Sequence, residues 1–385
     1  MRPEPKRSIY LDYNATTPVD IRVIGKMEHC MRNNWGNPSS LHIHGAQADK
    51  ITTEAEQVLH SYFQDRGNLL HFCSSGSEAV YAGIYGLWTQ GNCHLISTNI
   101  EHASIQNSIR LLRALGSKAI TVLSVDRNGQ VDLAELTESA GKRGTPVFVY
   151  SPVNHETGAL QQIEEIYSII KAAEGIVFID GVQAAARLEP SAWVPYCDMF
   201  TISGHKIYGP KGIGALSVKK DIDLIPFRSS EQENLFPGTV NLQGIAGITK
   251  AVEILSEELK DDLKEQKVLI DELIRLLTKQ KVPYFLESPE MRAPGIACLS
   301  FPDITNIEDF MFHLSRDQIS VSRFSACTKS IEGASGILLN MHREKNRAET
   351  SIRVSLGRQS KREDILRFVS SVEQALTKTS GKPPV

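Results

Sequence analysis

The sequence predicts an α/β protein in two parts, a large domain on a mainly parallel sheet flanked by helices and a smaller α+β domain behind it. Three observations carry that expectation. Short apolar runs alternate with longer amphipathic stretches from Leu69 to Val218, the pattern of right-handed strand–helix–strand crossovers. A long helical pattern dense in Glu and Lys, from Asn241 to about Gln280, then breaks the alternation. Finally, 385 residues exceeds the ~100–200 of an ordinary domain, and such a chain can bury its core without disulfide or metal staples.

Along the chain, the strand-like runs are Leu69–Phe72, His94–Ser97, Ile120–Val122, Val147–Tyr150, Ile176–Ile179, Met199–Ile202 and Ile213–Val218. Helical periodicity falls between most of them, at 76–89, 103–115, 132–140 and 161–173. The stretch ending AVEILSEELKDDLKEQKVLIDELIRLLTKQ reads as a connector into the second unit, its charged face solvated. Beyond it, strands are expected near Ile296–Phe301 and Ile319–Val321, with helices near 306–315 and 362–377. The expected division is an N-terminal segment, 1–15, packing near the small domain, a large domain over 16–250 and a small one over 251–385. The tail Thr377–Val385 reads as disordered, and the basic N-terminus lacks the apolar run of a secretory signal.

Lys and Arg number 42 against 45 Asp and Glu, a formal charge of −3, which leaves no basic field for direct nucleic-acid binding or for an anionic membrane. The longest stretch free of charge, Ala79 to Ile100, is broken by Thr89-Gln90-Gly91-Asn92 and cannot span a bilayer. A cytoplasmic protein with a small-molecule or protein partner is expected. The cysteines, Cys30, Cys73, Cys93, Cys197, Cys298 and Cys327, form no C-x-x-C pair and have no His at ligand spacing, so neither zinc nor a disulfide framework is expected.

Ligands of parallel sheets bind at the carboxyl ends of the strands. Polar clusters stand there: Ser74-Ser75-Gly76-Ser77-Glu78, Glu101-His102, Asn154-His155-Glu156, Asp180-Gly181-Val182-Gln183 and Ser203-Gly204-His205-Lys206. Each alone has a plain structural explanation, as a helix cap or an ion-pair member. Together they meet one chemical need. Pyridoxal 5′-phosphate requires a phosphate cradle, a lysine for its Schiff base and a carboxylate that keeps the pyridine nitrogen protonated. The 74–77 turn at a helix start, Lys206 and Asp180 supply all three.

At this point the chain resembles a known family. YLDYNATTPVD, GNPSSLH, EHASI, NHETG, DGVQ, SGHKIYGPKGIGAL, Ser325-Ala326-Cys327 and SIRVSLGR are similar to the signatures of cysteine desulfurases of NifS/IscS type, within the class V aminotransferases. The resemblance runs from about Ile9 to the last helix. It implies the PLP-dependent transferase fold type I and a homodimer that converts L-cysteine to L-alanine. Lys206 would hold the cofactor and move the substrate Cα proton, Asp180 would pair with the pyridine nitrogen, and Gln183 with the phenolic oxygen. His102 would stack on the ring and act in proton transfer; Gly76, Ser77, Ser203 and His205 would hold the phosphate. Asn154 and His155 are further cofactor contacts by the same resemblance, and Thr239 would reach the neighbouring subunit's phosphate. Arg353 would bind the substrate carboxylate in a pocket shared with Asn14, Ala15 and Asn37. Cys327, with Arg323 and Lys329 on either side, would take the sulfur as a persulfide and pass it to an acceptor protein.

The chain departs from the family pattern in places. His155 stands where a second asparagine is usual, and Arg228–Asn234 replaces a glycine-rich segment. Phe236 replaces a common arginine, Arg323-Phe324 a Ser-Gly pair, and Glu332-Gly333-Ala334 a Glu-Pro-Ser. These changes point to an altered acceptor, among iron–sulfur scaffolds, tRNA-thiolation proteins and DNA-phosphorothioation proteins. A selenocysteine lyase or small-substrate aminotransferase of the same fold is the alternative enzyme, and a non-catalytic scaffold the alternative of another class.

Overall fold

A computed structural model describes residues 7–65, 67–224, 235–236, 238–323 and 333–379. Ahead of the alternating region lie β1 (Ile9–Tyr10), α1 (Ile21–Asn33) and α2 (Ile43–Phe63), none of which the sequence reading placed. The alternation itself follows as β2 (Leu69–Cys73), α3 (Gly76–Trp88), β3 (Cys93–Thr98), α4 (Ala103–Ala114), β4 (Ile120–Leu123) and α5 (Leu133–Ala140). It continues through β5 (Thr145–Tyr150), α6 (Ile163–Ala172), β6 (Ile176–Asp180), the short α7 (Ala184–Arg187), β7 (Met199–Ser203) and β8 (Gly214–Val218). The long α8 (Leu242–Lys279) leads to β9 (Phe285–Leu286), β10 (Ile296–Ser300), α9 (Ile307–Arg316) and β11 (Ile319–Ser320). The chain then forms α10 (Gly336–Asn340), α11 (Lys345–Glu349), β12 (Ser351–Ser355) and α12 (Arg362–Thr379), the last reaching beyond the expected 377.

The main sheet has 7 strands in the order β2-β8-β7-β6-β5-β3-β4. Its pairings are parallel except those of β8, which is antiparallel to both β2 and β7. The exception has a simple cause. A parallel return needs a crossover of about a dozen residues or more, and the shorter connection Gly204–Ile213, closed by Gly204 N donating to Ile213 O (3.0 Å), brings β8 back beside β7. Alternate side chains feed two cores. Phe148 and Tyr150 of β5 face the core shared with α6 and the start of α8, whereas Val147 and Val149 face α3 and α4. Helix α3 lies close on the sheet because Gly83 has no side chain: a Cβ there would sit 2.5 Å from the Phe178 ring.

A separate core lies under the antiparallel sheet β12-β10-β9, between α9, α12 and the second half of α8. Ile9 and Leu11 pack into it, and β1 pairs in parallel with β11. Helix α8 crosses residues 250 and 251 without a break; Ile245 to Leu259 serve the main-sheet core that holds Phe148 and Tyr150, and Leu269 to Leu277 the separate one. Among the described residues, no helix is long and apolar enough to cross a membrane.

Candidate active site

The carboxyl ends of β2, β3, β5, β6 and β7 open on one cavity of about 330 Å³. Local capping shapes its first wall. Ser75 Oγ accepts from Glu78 N (3.1 Å), and the Glu78 carboxylate accepts in turn from Ser74 N and Oγ (2.6 Å each), which starts α3 with Gly76 and Ser77 on the cavity. First-turn amides have no intrahelical acceptor, so they face outward to an anion. Gly76 is required there: a Cβ would lie 2.5 Å from Val182 Cγ2. Ser203 and His205 line the same cavity, with His205 Nδ1 3.2 Å from Thr16 Oγ1. Burial, then the charges of Lys206 and Lys211, pull the His205 imidazole down to about 4, so it is neutral at neutral pH.

The reactive groups stand beside this wall. Lys206 Nζ donates to the carbonyls of Asn14 and Ala15, the latter at 3.0 Å. Asp180 is buried at the end of β6; burial pushes its carboxyl up, against the pull of His102, Val182 N (3.2 Å), Lys206 and Thr201 Oγ1 (3.4 Å). Gln183 Nε2 donates to Asn14 O (3.0 Å). His102 caps α4, its Nδ1 accepting from Ser104 N (3.2 Å), which leaves Nε2 to carry the proton of the neutral ring. His155 meets it edge-on, ring centres 5.3 Å apart at 82°, and burial holds His155 well below the usual histidine range. His155 Nε2 is buried and has no hydrogen-bond partner among the described residues. A polar atom left so costs free energy that a ligand can recover.

Arg353, on β12, closes the other side. Its Nη1 donates to His155 O (2.8 Å) and its Nη2 to Asp12 Oδ1 (2.7 Å), while Nε is buried with no partner among the described residues. Asn14 lies between the two groups: Nδ2 donates to His155 O (3.2 Å), and the backbone N to Ser355 Oγ (2.9 Å). Ala15 lines the cavity too.

Other expected residues stand elsewhere. Asn154 is buried, but its Oδ1 accepts from Glu156 N, Thr157 N and Thr157 Oγ1, and its Nδ2 donates to Ile100 O. Its amide is thus used up in building the turn that presents His155. Asn37 and Thr239 are exposed and off the cavity wall. Cys327 lies outside the described residues, as do Arg228–Asn234, Phe324 and Glu332. Conversely, the cavity is also lined by Asp12, Ser75, Ser104, Ser151, Val182 and Ser322. Ser151 follows Tyr150 directly, so the strand-end rule points to it; Val182 lies inside the Asp180–Gln183 cluster. Asp12 has no such local signal.

Under His102, Glu101 is buried and accepts from Thr98 Oγ1 (2.7 Å) and Ser151 N (2.9 Å). Burial, its largest influence, raises its carboxyl from an ordinary 4.5 to about 7. A carboxyl whose folded value is raised takes up a proton on folding, so the stability it contributes is full below 4.5 and lost as pH rises through about 7. Glu101→Gln, whose carbonyl can keep the Ser151 bond while Thr98 turns to accept, should remove that slope. Melting temperatures at pH 5 and pH 8 test this: the native-minus-variant difference should fall with pH, and a difference that stays constant or rises refutes it.

The sequence profile of the family described as Aminotransferase class-V matches residues 9–368. The chain belongs to that family. Cysteine desulfurase IscS of Dictyoglomus turgidum is 31% identical, over 97% of this chain and 95% of that protein. Cysteine desulfurase 1 of Trichormus variabilis is 32% identical, over 98% and 94%. Among solved structures, one titled NifS-like protein matches with a TM-score of 0.87 at 27% identity, covering 97% of this chain and 100% of that one. A NifS-like protein from Rickettsia africae gives 0.84, also at 27% identity, over 96% and 99%. This class V enzyme is a cysteine desulfurase that depends on pyridoxal 5′-phosphate, and it forms L-alanine from L-cysteine as it passes on the sulfur. The residues present fit that cofactor: an anion-receptive helix start closed over by Gly76, an amine, a buried carboxylate and an imidazole with an unmet Nε2 on one cavity.

Proposed function

We propose that this cavity is the desulfurase active site, with the residues in the following roles. The observation that carries the reading is that Lys206, Asp180, His102 and Arg353, from four separate elements, line one cavity. Gly76, Ser77, Ser203 and His205 hold the cofactor's phosphate. Asp180 pairs with the ring nitrogen, Gln183 and His155 serve the phenolic oxygen, and His102 covers the ring. When bound, pyridoxal 5′-phosphate supplies an electron sink for the negative charge developing at the substrate Cα. Lys206 holds the cofactor covalently and moves the Cα proton of L-cysteine. Arg353 binds the substrate carboxylate, and Asn14 and Ala15 line its pocket. The buried Nε and the remaining N–H bonds of the Arg353 guanidinium are what such a carboxylate requires. Asn154 acts through the turn it builds.

The Cys327 thiolate attacks the substrate sulfur. An S–S bond forms, the Cβ–S bond breaks, and its electron pair stays on carbon, which is protonated to give alanine and leaves a persulfide on Cys327. A thiol-bearing acceptor protein then takes the outer sulfur. Exposed Ile21, Met31, Trp35, Leu41 and Ile43 support a homodimer that covers them, and exposed Thr239 supports its role at a neighbour's phosphate. The proposed division is 16–250 for the cofactor domain and 251–385 for the small domain, with 1–15 beside it; α8 runs through the boundary, and Ala251 to Leu259 still pack on the main-sheet core.

The test is product analysis. With L-cysteine and dithiothreitol, the enzyme should release alanine and sulfide in equal amounts. A keto acid in place of alanine would establish the aminotransferase alternative, turnover confined to selenocysteine the lyase, and no turnover the scaffold.

A further inference from the structure

Arg187, the last residue of α7, is a buried cation whose hydrogen-bond partners among the described residues are all neutral. It donates to Gln266 Oε1 on α8, to Pro294 O (3.3 Å) and, through Nη2, to Asn14 Oδ1 (2.7 Å), and its Nε has no partner among the described residues. The chain makes room for it. Gly295, at φ +75°, would place a Cβ 2.5 Å from Arg187 Nη1 and from Gln266 Oε1, so a side chain there would displace the guanidinium. Asp262 favours its charge through space but makes no hydrogen bond to it, and burying a guanidinium this way is costly. Two of its bonds tie α7 to α8 and to Pro294, and the third, to Asn14, reaches the site.

That bond decides which way the Asn14 amide points. A guanidinium only donates, so Oδ1 must face Arg187; a carbonyl only accepts, so Nδ2 must face His155 O. The same His155 carbonyl accepts from Arg353 Nη1 (2.8 Å). Were the amide reversed, oxygen would meet oxygen at His155, and the carbonyl that orients Arg353 would be pushed away. Through Gln266, this chain of bonds also ties α8 to the site.

We infer that Arg187 is a positioning residue for substrate binding: it locks the Asn14 amide in the one polarity that holds the His155 carbonyl, and with it Arg353, in place for the carboxylate. This rests on Arg353 being the carboxylate ligand. Arg187→Met should raise KM for L-cysteine about tenfold, the scale of one lost charge-assisted hydrogen bond, with kcat held within about twofold. Arg187→Lys, which keeps a cation and can still reach one acceptor, should recover part of the loss and stands as the second variant if the methionine form does not fold. Asn14→Ala should raise KM comparably, and adding Arg187→Met to it should raise KM no further, because both act through one amide. An unchanged KM with kcat and cofactor absorbance falling together, or effects that multiply in the double variant, would overturn the inference. Arg353→Lys, run alongside, separates the two readings. An unchanged KM in Arg353→Lys overturns the carboxylate assignment; a raised KM there with an unchanged one in Arg187→Met overturns only the positioning role.

Discussion

With Lys206 replaced by alanine, alanine formation from L-cysteine should fall on the order of 10⁴-fold, the upper end for loss of a positioned proton-transfer group. The side chain sits in a 3-10 turn just past β7, fixed by the Asn14 and Ala15 carbonyls, and shares the cavity with Asp180 and His102. No other described lysine lines that cavity. Borohydride reduction followed by peptide mass mapping should place the cofactor adduct on Lys206 in the native enzyme and find none in the variant. Unchanged melting temperature would show that the loss is chemical. Residual turnover within about tenfold of native would overturn the assignment of the proton transfer to Lys206.

Cys327→Ser should abolish sulfide release in the presence of dithiothreitol while leaving the visible cofactor band as it is. Serine cannot form the sulfur–sulfur bond that the proposed step requires. Nor can another cysteine stand in. Cys30, Cys73, Cys197 and Cys298 are buried and Cys93 half-buried, and burial raises each thiol, Cys73 and Cys93 to about 12, so few thiolates are present at neutral pH. Cys327 carries Arg323 and Lys329 near it in sequence; Arg323 is paired through Nη1 with Glu308 and anchored by Nη2 bonds to Gly333 O (2.7 Å) and Glu349 O (3.1 Å). Unchanged sulfide release from Cys327→Ser would refute the persulfide step.

The alternation of apolar runs with helical periods was enough to read the main sheet, because strands buried on both faces are short continuous apolar stretches. The antiparallel direction of β8 was harder to read. It follows from the length of the 204–213 connection, which periodicity does not weigh. Helices α1 and α2, capped by Asp20 and His42, precede the first strand of the main sheet and so lie outside the strand–helix alternation that marks the elements after them.

The candidate site divides in the same way. Residue types and their places after strands were enough to nominate Lys206, Asp180, His102 and Gly76, since strand-end position is a local property and this fold turns it into a shared cavity. Tertiary packing alone decided how those groups are paired. Asp12 with Arg353, Asn14 with Arg187, and the His155 carbonyl with both Asn14 and Arg353 join residues 341, 173, 141 and 198 positions apart. No period or spacing encodes such pairs. They exist because β12, α7 and the segment after β1 are packed against one another, and a buried polar group must find its partner among whatever that packing brings within hydrogen-bond reach.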